Sequence, residues 1–219
     1  MSHDKNNSVE KRKVLIIHSD PLYDQMFVGN GWDLTDSIYE ADLVCFTGGT
    51  DVGSTLYKES RHVRSSFSDS IRDEYEAIMF DRCVHLRIPM VGICRGSQFL
   101  CVMNGGSLVQ HMLGHCGPNH DVMDKRNGGS FEVTSSHHQM MIPNSDLSTV
   151  LLTTPSLSPS YELSSPENVL EGVTEDIEGV FWEGSNSLGV QFHPEWMGVE
   201  SEASQWFFKG IDELLFKIK

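Results

Sequence analysis

The sequence predicts an α/β fold in which a mostly parallel, mixed central sheet is flanked by helices. Three short apolar runs, at residues 13–18, 41–46 and 89–93, are typical of strands buried on both faces. Helical patterns alternate with such runs, which favours parallel strands. The second half contains strand-like runs with few helical patterns between them, and this predicts antiparallel additions. These runs lie at residues 130–136, 149–153, 179–183 and 187–192.

Helices are predicted where apolar residues recur every 3.6 residues or so, a period of about one helical turn, or where capping residues frame a segment. Ser68 or Asp69 can cap the first such helix, and Pro89 closes it. A second helix is expected at residues 96–103, before the stop at Gly105. The apolar positions are Ile71, Tyr75, Ile78, Met79 and Leu86 in the first helix, and Trp206, Phe207, Ile211, Leu214, Leu215 and Ile218 in a C-terminal helix.

Length and charge limit the classes of function. The chain has 219 residues, with 16 Lys+Arg against 31 Asp+Glu and a formal net charge of -15. We expect a flexible arm at residues 1–12 and a single domain at residues 13–219. No apolar run approaches the roughly 20 residues that cross a bilayer, and the start does not resemble a signal peptide, so a cytoplasmic protein without a membrane partner is expected. The negative charge argues against a nucleic-acid partner. A homo-oligomer is compatible with the sequence.

Only one of the five cysteines has neighbours that suggest chemistry. An odd number without CxxC spacing predicts free thiols. Cys94 lies in the segment GICRG, which has the form G-x-nucleophile-x-G between a predicted strand and a predicted helix. The glycines on either side allow a sharp turn, and the helix N-terminus favours a thiolate and supplies the backbone N–H of Arg95 as half of an oxyanion hole. The alternative interpretation is a buried structural cysteine.

A thiol nucleophile needs a base, and the base needs an orienting partner. His193 and Glu195 stand two positions apart in GVQFHPE, and in an extended chain residues i and i+2 project to the same side. Pro194 keeps the segment extended. Such a pair is structural in most proteins, but its combination with the Cys94 turn favours catalysis.

The motifs GICRGSQ and GVQFHPEW strongly resemble the class I glutamine amidotransferase superfamily, whose triad is Cys, His and Glu in that order. The sequence looks closest to the branch that contains γ-glutamyl-γ-aminobutyrate hydrolase and other γ-glutamyl hydrolases. The resemblance implies a flavodoxin-like fold with antiparallel additions. It is carried by residues 46–57, 92–98, 104–110 with 135–139, and 189–196.

The resemblance also implies a role for individual residues. Cys94 would be the nucleophile, His193 the general base and then acid, and Glu195 its orienting partner. The backbone N–H groups of Gly49 and Arg95 would form the oxyanion hole. The substrate-binding residues would be Gly48, Gln98, Ser136 and His137.

The implied reaction is hydrolysis of the γ-glutamyl amide of glutamine or of a small γ-glutamyl amine through a thioester on Cys94, which releases glutamate and requires no metal or organic cofactor. Two alternatives stay open: a glutaminase subunit that supplies ammonia to a separate ATP-dependent synthetase, and an inactive binding or regulatory module. A zinc site is a further alternative, because four potential ligands are closely spaced, but nearby glycines and Pro118 weaken a helix there, and no metal is expected. These ligands are His111, His115, Cys116 and His120.

Overall fold

A mixed sheet forms the centre of the computed structural model, which describes residues 11–65 and 67–217. The strands are β1 Lys13–Ile17, β2 Asp33–Leu34, β3 Leu43–Phe46, β4 Met90–Ile93, β5 Ser107–Val109, β6 His111–Met112, β7 His120–Asp124, β8 Ser130–Val133, β9 Met140–Ile142, β10 Thr149–Pro155, β11 Tyr161–Ser165, β12 Asn168–Val169, β13 Glu175–Trp182 and β14 Ser187–Val190. The helices are α1 Pro21–Gly29, α2 Ser70–Leu86, α3 Arg95–Met103 and α4 Glu202–Gly210, and a π-helical turn, Ile211–Leu215, follows α4.

The strand order confirms the predicted fold class. The main sheet runs β2-β1-β3-β4-β14-β13-β10-β7-β8. The first five strands of this order, β2, β1, β3, β4 and β14, are parallel to their neighbours, and the remaining neighbours pair in antiparallel fashion. Because β3, β4 and β14 are parallel neighbours, their carboxyl ends meet at one edge of the sheet, where ligand sites of open α/β sheets lie.

Two apolar clusters hold helices against the sheet. One includes Phe27 of α1 and Phe207 of α4. The other includes Met79 of α2, Phe99 of α3 and Trp182 of β13. Burying apolar area at about 25 cal/mol per Å² is the main driving force for such packing, so the sheet is covered where α/β folds require it.

Helix α2 begins and ends where the sequence predicts, but its inner face differs from the prediction. The Asp69 carboxylate caps it by accepting hydrogen bonds from the N–H groups of residues 71 and 72, and Arg87 ends it in the left-handed conformation. Its buried residues are Asp73, Glu76, Met79, Phe80 and Cys83, whereas Ile71, Tyr75, Ile78 and Leu86 are exposed. The cause is the buried guanidinium of Arg95, which pairs with Asp73 and Glu76 and therefore turns the acidic face of the helix inward.

Other differences concern segments with weak local signals. Residues 155–168 are not one loop, because β11 and β12 form a hairpin that pairs with β6. Helix α1 has no counterpart in the sequence prediction. The C-terminal apolar stripe packs into the core at Phe207, Ile211 and Leu215, while Ile218 and most of the predicted arm lie outside the described residues. Within the part of the chain that the structure describes, no helix has the length and apolar character to span a membrane.

Candidate active site

Cys94 lies at a strained turn between β4 and α3. Its backbone has φ 51 and ψ -111, a conformation that non-glycine residues rarely adopt and that tends to occur at functional sites. A Cβ on Gly92 would lie 2.5 Å from the carbonyl carbon of Gly96, and a Cβ on Gly96 would lie 2.0 Å from the Phe46 oxygen. The turn therefore needs both glycines for steric reasons, as the sequence predicts. The Cys94 N–H donates to the carbonyl of Val190 at 2.8 Å, which ties the turn to the end of β14.

His193 and Glu195 follow β14 and form an oriented pair, although Pro194–Trp196 is a turn of 3₁₀ helix and not the extended segment that the sequence predicts. The distance between His193 Nδ1 and Glu195 Oε1 is 2.6 Å. The His193 N–H donates to Thr134 Oγ1 at 2.8 Å. The indole of Trp196 stacks on the imidazole with 3.7 Å between ring centroids and 2° between planes. Glu195 thus holds one edge of the imidazole, Trp196 covers one face, and Thr134 holds the backbone of His193. This leaves the ring nitrogen Nε2 to face a reaction partner.

The electrostatics of His193 connect it to Cys94. Burial lowers the pKa of this imidazole, but its hydrogen bonds with Cys94 and Glu195 outweigh burial and raise the pKa to about 10. An imidazolium next to a sulfur stabilises a thiolate, the form that acts as a nucleophile. The structure therefore brings together the three predicted triad residues, with Cys94 only 7% exposed and His193 and Glu195 also buried.

Gly48 lies where His193 and Cys94 meet. A Cβ on Gly48 would lie 2.9 Å from His193 Cε1, 3.1 Å from the Tyr23 hydroxyl and 3.7 Å from Cys94 Cβ. The Gly48 N–H donates to the Tyr23 hydroxyl at 3.0 Å. Burial, together with the nearby carboxylate of Glu195, raises the pKa of Tyr23, so the hydroxyl stays protonated. Sequence reasoning missed Tyr23 because α1 itself was not predicted.

A buried ion network holds the loop that follows β3. Arg72 of α2 donates from Nη1 to the Gly48 carbonyl at 3.0 Å and from Nη2 to the Thr47 carbonyl at 2.9 Å. Its Nε donates to Glu76 Oε1 at 2.7 Å, and the other Glu76 oxygen pairs with Arg95. This network joins the loop to the helix that begins at the nucleophile. Its signal in the sequence was the acidic residues inside an apparently apolar helix.

The other predicted site residues have mixed placements. Gly49 has φ +144, and a Cβ there would lie 2.3 Å from Arg72 Nη1, so a glycine is required beside the candidate oxyanion hole. Gln98 is buried and donates to the Gln139 carbonyl at 3.3 Å. Ser136 is exposed, whereas the His137 ring is buried, with Nδ1 2.9 Å from the Gln139 carbonyl. Substrate binding by these residues stays a prediction, and the ring of His137 has partners in the interior.

The four closely spaced candidate metal ligands separate into different surroundings. His111 stacks on His62 at 5.7 Å between ring centroids. His115 and His120 contact each other at 4.9 Å between centroids. Cys116 is exposed, and all five cysteines are free thiols. The predicted i, i+4 pair of His111 and His115 does not form on a helix, because residue 111 ends up in β6 and residue 115 in the following loop.

The chain is similar to known proteins over most of its length. The family model described as peptidase C26 matches residues 27–195. The chain is 26% identical to the "putative glutamine amidotransferase-like protein YvdE" of Lactococcus lactis subsp. lactis over 196 residues, which are 81% of this chain and 72% of that protein. It is 24% identical over 166 residues to the carbamoyl phosphate synthase small chain of Pyrococcus furiosus, covering 75% of this chain but only 36% of that relative.

The fold is shared with solved structures. A protein from Thermoplasma acidophilum, described as a putative subunit of GMP synthase, superposes with a TM-score of 0.65 at 13% identity, covering 95% of this chain and 96% of that one. At such an identity the likeness concerns the fold alone. It matches the mixed sheet and flanking helices of this chain.

Proposed function

Since the chain belongs to the peptidase C26 family, within the class I glutamine amidotransferase superfamily, we propose that it hydrolyses γ-glutamyl amide bonds with Cys94, His193 and Glu195 as its triad. The observation that carries this proposal is the meeting of Cys94 and His193 beside Gly48, with Glu195 Oε1 2.6 Å from the other imidazole nitrogen. A nucleophile, a base and an orienting carboxylate in this order are the parts that covalent acyl transfer needs.

The proposed reaction has two halves. The Cys94 thiolate attacks the δ-carbonyl of the γ-glutamyl amide, and the carbonyl electron pair moves to the oxygen. The imidazolium of His193 gives its proton to the leaving ammonia or amine as the C–N bond breaks, which leaves a γ-glutamyl thioester. Water then gives a proton to His193 and attacks the thioester, so that glutamate leaves and the thiolate returns.

The oxyanion is assigned to the backbone N–H groups of Gly49 and Arg95. Arg95 is the first residue of α3, where N–H groups have no partner within the helix and the helix dipole is positive. Removal of one oxyanion donor in comparable sites lowers the rate by about 100- to 1000-fold. Arg72 supports this assignment because it donates hydrogen bonds to the carbonyls of Thr47 and Gly48, the two residues before Gly49.

Mass spectrometry of the protein during turnover tests the proposal. The protein is incubated with glutamine and with a panel of γ-glutamyl amines, quenched in acid and digested. We expect a glutamyl adduct on Cys94 that is absent from Cys94→Ala and retained in Cys116→Ser, since Cys116 is the exposed thiol of the chain. An adduct on another cysteine would contradict the mechanism, and no adduct from folded protein on any substrate would contradict the free-standing hydrolase.

A glutaminase subunit is the second candidate, and the relatives favour it. One relative is the small chain of a carbamoyl phosphate synthase. On this proposal the same triad hydrolyses glutamine and delivers ammonia to a synthetase on another chain. The substrate that is turned over distinguishes the two candidate functions. Turnover of γ-glutamyl amines by the purified chain supports the free-standing hydrolase. Glutamine hydrolysis that appears only with a synthetase supports the glutaminase subunit.

A further inference from the structure

Three histidines surround one buried carboxylate, at a place that the proposed triad does not use. His115 Nδ1, His120 Nε2 and His137 Nε2 lie 3.2, 3.4 and 3.5 Å from the same oxygen, Glu178 Oε1. The side chains of His115 and Glu178 have no exposed surface, and those of His137 and His120 are 2% and 11% exposed. These four residues are called the histidine–glutamate cluster below.

The cluster leaves its inward-facing atoms without hydrogen bonds. None of the three contacts has hydrogen-bond geometry, and His115 Nδ1, His120 Nε2, His137 Nε2 and both oxygens of Glu178 have no hydrogen-bond partner among the described residues. Buried polar groups are nearly always satisfied, because an unsatisfied one costs about 1–3 kcal/mol. The convergence of so many unpaired polar atoms on one point is typical of a ligand-binding site.

The outward-facing nitrogens of two of the rings are fixed by acceptors. His115 Nε2 lies 2.8 Å from Asp176 Oδ2, and His137 Nδ1 lies 2.9 Å from the Gln139 carbonyl. Asp176 is itself held by the N–H of Leu157 at 2.9 Å and by the hydroxyl of Tyr161. Metal-binding histidines almost always donate their second N–H to a carboxylate or a backbone carbonyl in this way. The arrangement directs the remaining nitrogens towards Glu178.

We propose that the histidine–glutamate cluster binds one divalent transition-metal ion, for which Zn²⁺ is the best fit, through His115, His120 and Glu178, with His137 packed beside them. One donor atom from each of these three residues lies within 4.8 Å of the other two. Donors at about 2.0–2.1 Å from a tetrahedral zinc lie about 3.3–3.4 Å apart. The distances of 3.2 and 3.4 Å from Glu178 Oε1 to His115 Nδ1 and His120 Nε2 are close to that edge.

The site has the character of a structural metal centre. His115 and His120 lie just before and at the start of β7, and Glu178 lies in the distant strand β13. The side chains of His115 and Glu178 have no exposed surface, which argues against binding of a substrate at the metal. The loop that carries His137 also carries Thr134, which accepts from the N–H of His193, and Gln139, which accepts from Gln98. A metal here would brace the loop against which the catalytic histidine is held.

The rival explanation is a proton instead of a metal. Burial lowers the pKa of His115, but the carboxylates of Asp176 and Glu178 outweigh burial and raise it to about 9. In that case His115 is an imidazolium paired with two carboxylates and the cluster takes no ion. The sequence pattern predicted no metal, so the proposed site departs from that expectation, and a measurement of metal binding decides between the two.

Metal binding by the full chain in a Cys94→Ser background tests the proposal without the active-site thiol. The protein is stripped with a chelator, titrated with Zn²⁺, desalted and measured by elemental mass spectrometry, and in parallel loaded with Co²⁺ for absorption spectroscopy. We expect one Zn²⁺ per chain and tetrahedral Co²⁺ bands without a sulfur charge-transfer band. Because no step of the assay requires catalysis, its failure is distinguishable from failure of the proposed hydrolase function.

Two variants localise the site. His120→Gln changes the most exposed ligand and is therefore the variant most compatible with folding; it should weaken Zn²⁺ binding by at least about 10-fold, as losses of metal-site residues generally do. Glu162→Gln is the matched control, because Glu162 Oε2 pairs with the buried His62 Nε2 at 3.0 Å outside the cluster, and it should retain the ion. A folded protein that retains no Zn²⁺, or that loses it equally in both variants, overturns the proposal.

Discussion

Replacing Gly48 by alanine tests whether the contact between His193 and Cys94 carries the activity. The backbone of Gly48 does not have a positive φ, so alanine brings no conformational strain and acts only through its methyl group. That methyl would lie 2.9 Å from His193 Cε1, whereas ordinary contacts begin at 3.4 Å. The methyl would also lie 3.1 Å from the Tyr23 hydroxyl, so it would be crowded by both the imidazole and the phenol.

The size of the effect follows from this overlap. Relief of the contact requires the ring or the loop to move by roughly 0.5–1 Å, and a misplacement of about 1 Å at a reacting group costs on the order of 100-fold in rate. This loss corresponds to about 2.7 kcal/mol of transition-state stabilisation. Overpacking costs about 1–3 kcal/mol in the free energy of unfolding, and we expect the lower end of this range because Gly48 is only partly buried.

The assay is single-turnover formation of the glutamyl adduct on Cys94, alongside the rate of Cys94 alkylation and the unfolding midpoint in urea. Gly184→Ala is the matched control, since a Cβ there meets nothing within 4 Å, and it should keep the wild-type rate. A Gly48→Ala protein that forms the adduct at the wild-type rate while folded would refute the reasoning, because the position of the imidazole would then not limit thioester formation.

Two further variants test the surroundings of the triad. Glu195→Gln removes one of the two partners that raise the pKa of His193 to about 10. This raised pKa adds stability that is complete below about 6.5 and is lost as the pH rises towards 10. The variant should therefore lose this stability at a lower pH than wild type, as measured by urea unfolding between pH 5 and 10. An unchanged pH profile would contradict the assigned partner. Glu76→Gln removes the carboxylate shared by Arg72 and Arg95 and should cost about 3–5 kcal/mol in the free energy of unfolding. The exposed Glu74→Gln on the same helix should cost less than about 0.5 kcal/mol, and equal losses in both variants would show that the ion network contributes nothing.

Local motifs were predictable because their signals are short in sequence. Gly92 and the capping residue Asp69 act on neighbours within four residues, and the structure places the turn and the helix start where the sequence predicts them. The inner face of α2 was not predictable in this way. Apolar periodicity favours burial of Ile71 and Tyr75, but a guanidinium from α3 needs two carboxylates, and an unpaired buried charge costs more than a few exposed apolar side chains.

The amino-acid sequence alone predicted the fold class, from buried strand runs, and the resemblance of two of its motifs to a known superfamily predicted that superfamily and the three residues proposed as the triad. Only the tertiary structure decided which side chains meet: Tyr23 and Arg72 at the Gly48 loop, and three histidines at Glu178. These contacts join residues far apart in the chain. The free energy that fixes them comes from satisfying buried charges and polar atoms, and no local pattern records with which distant group each atom pairs.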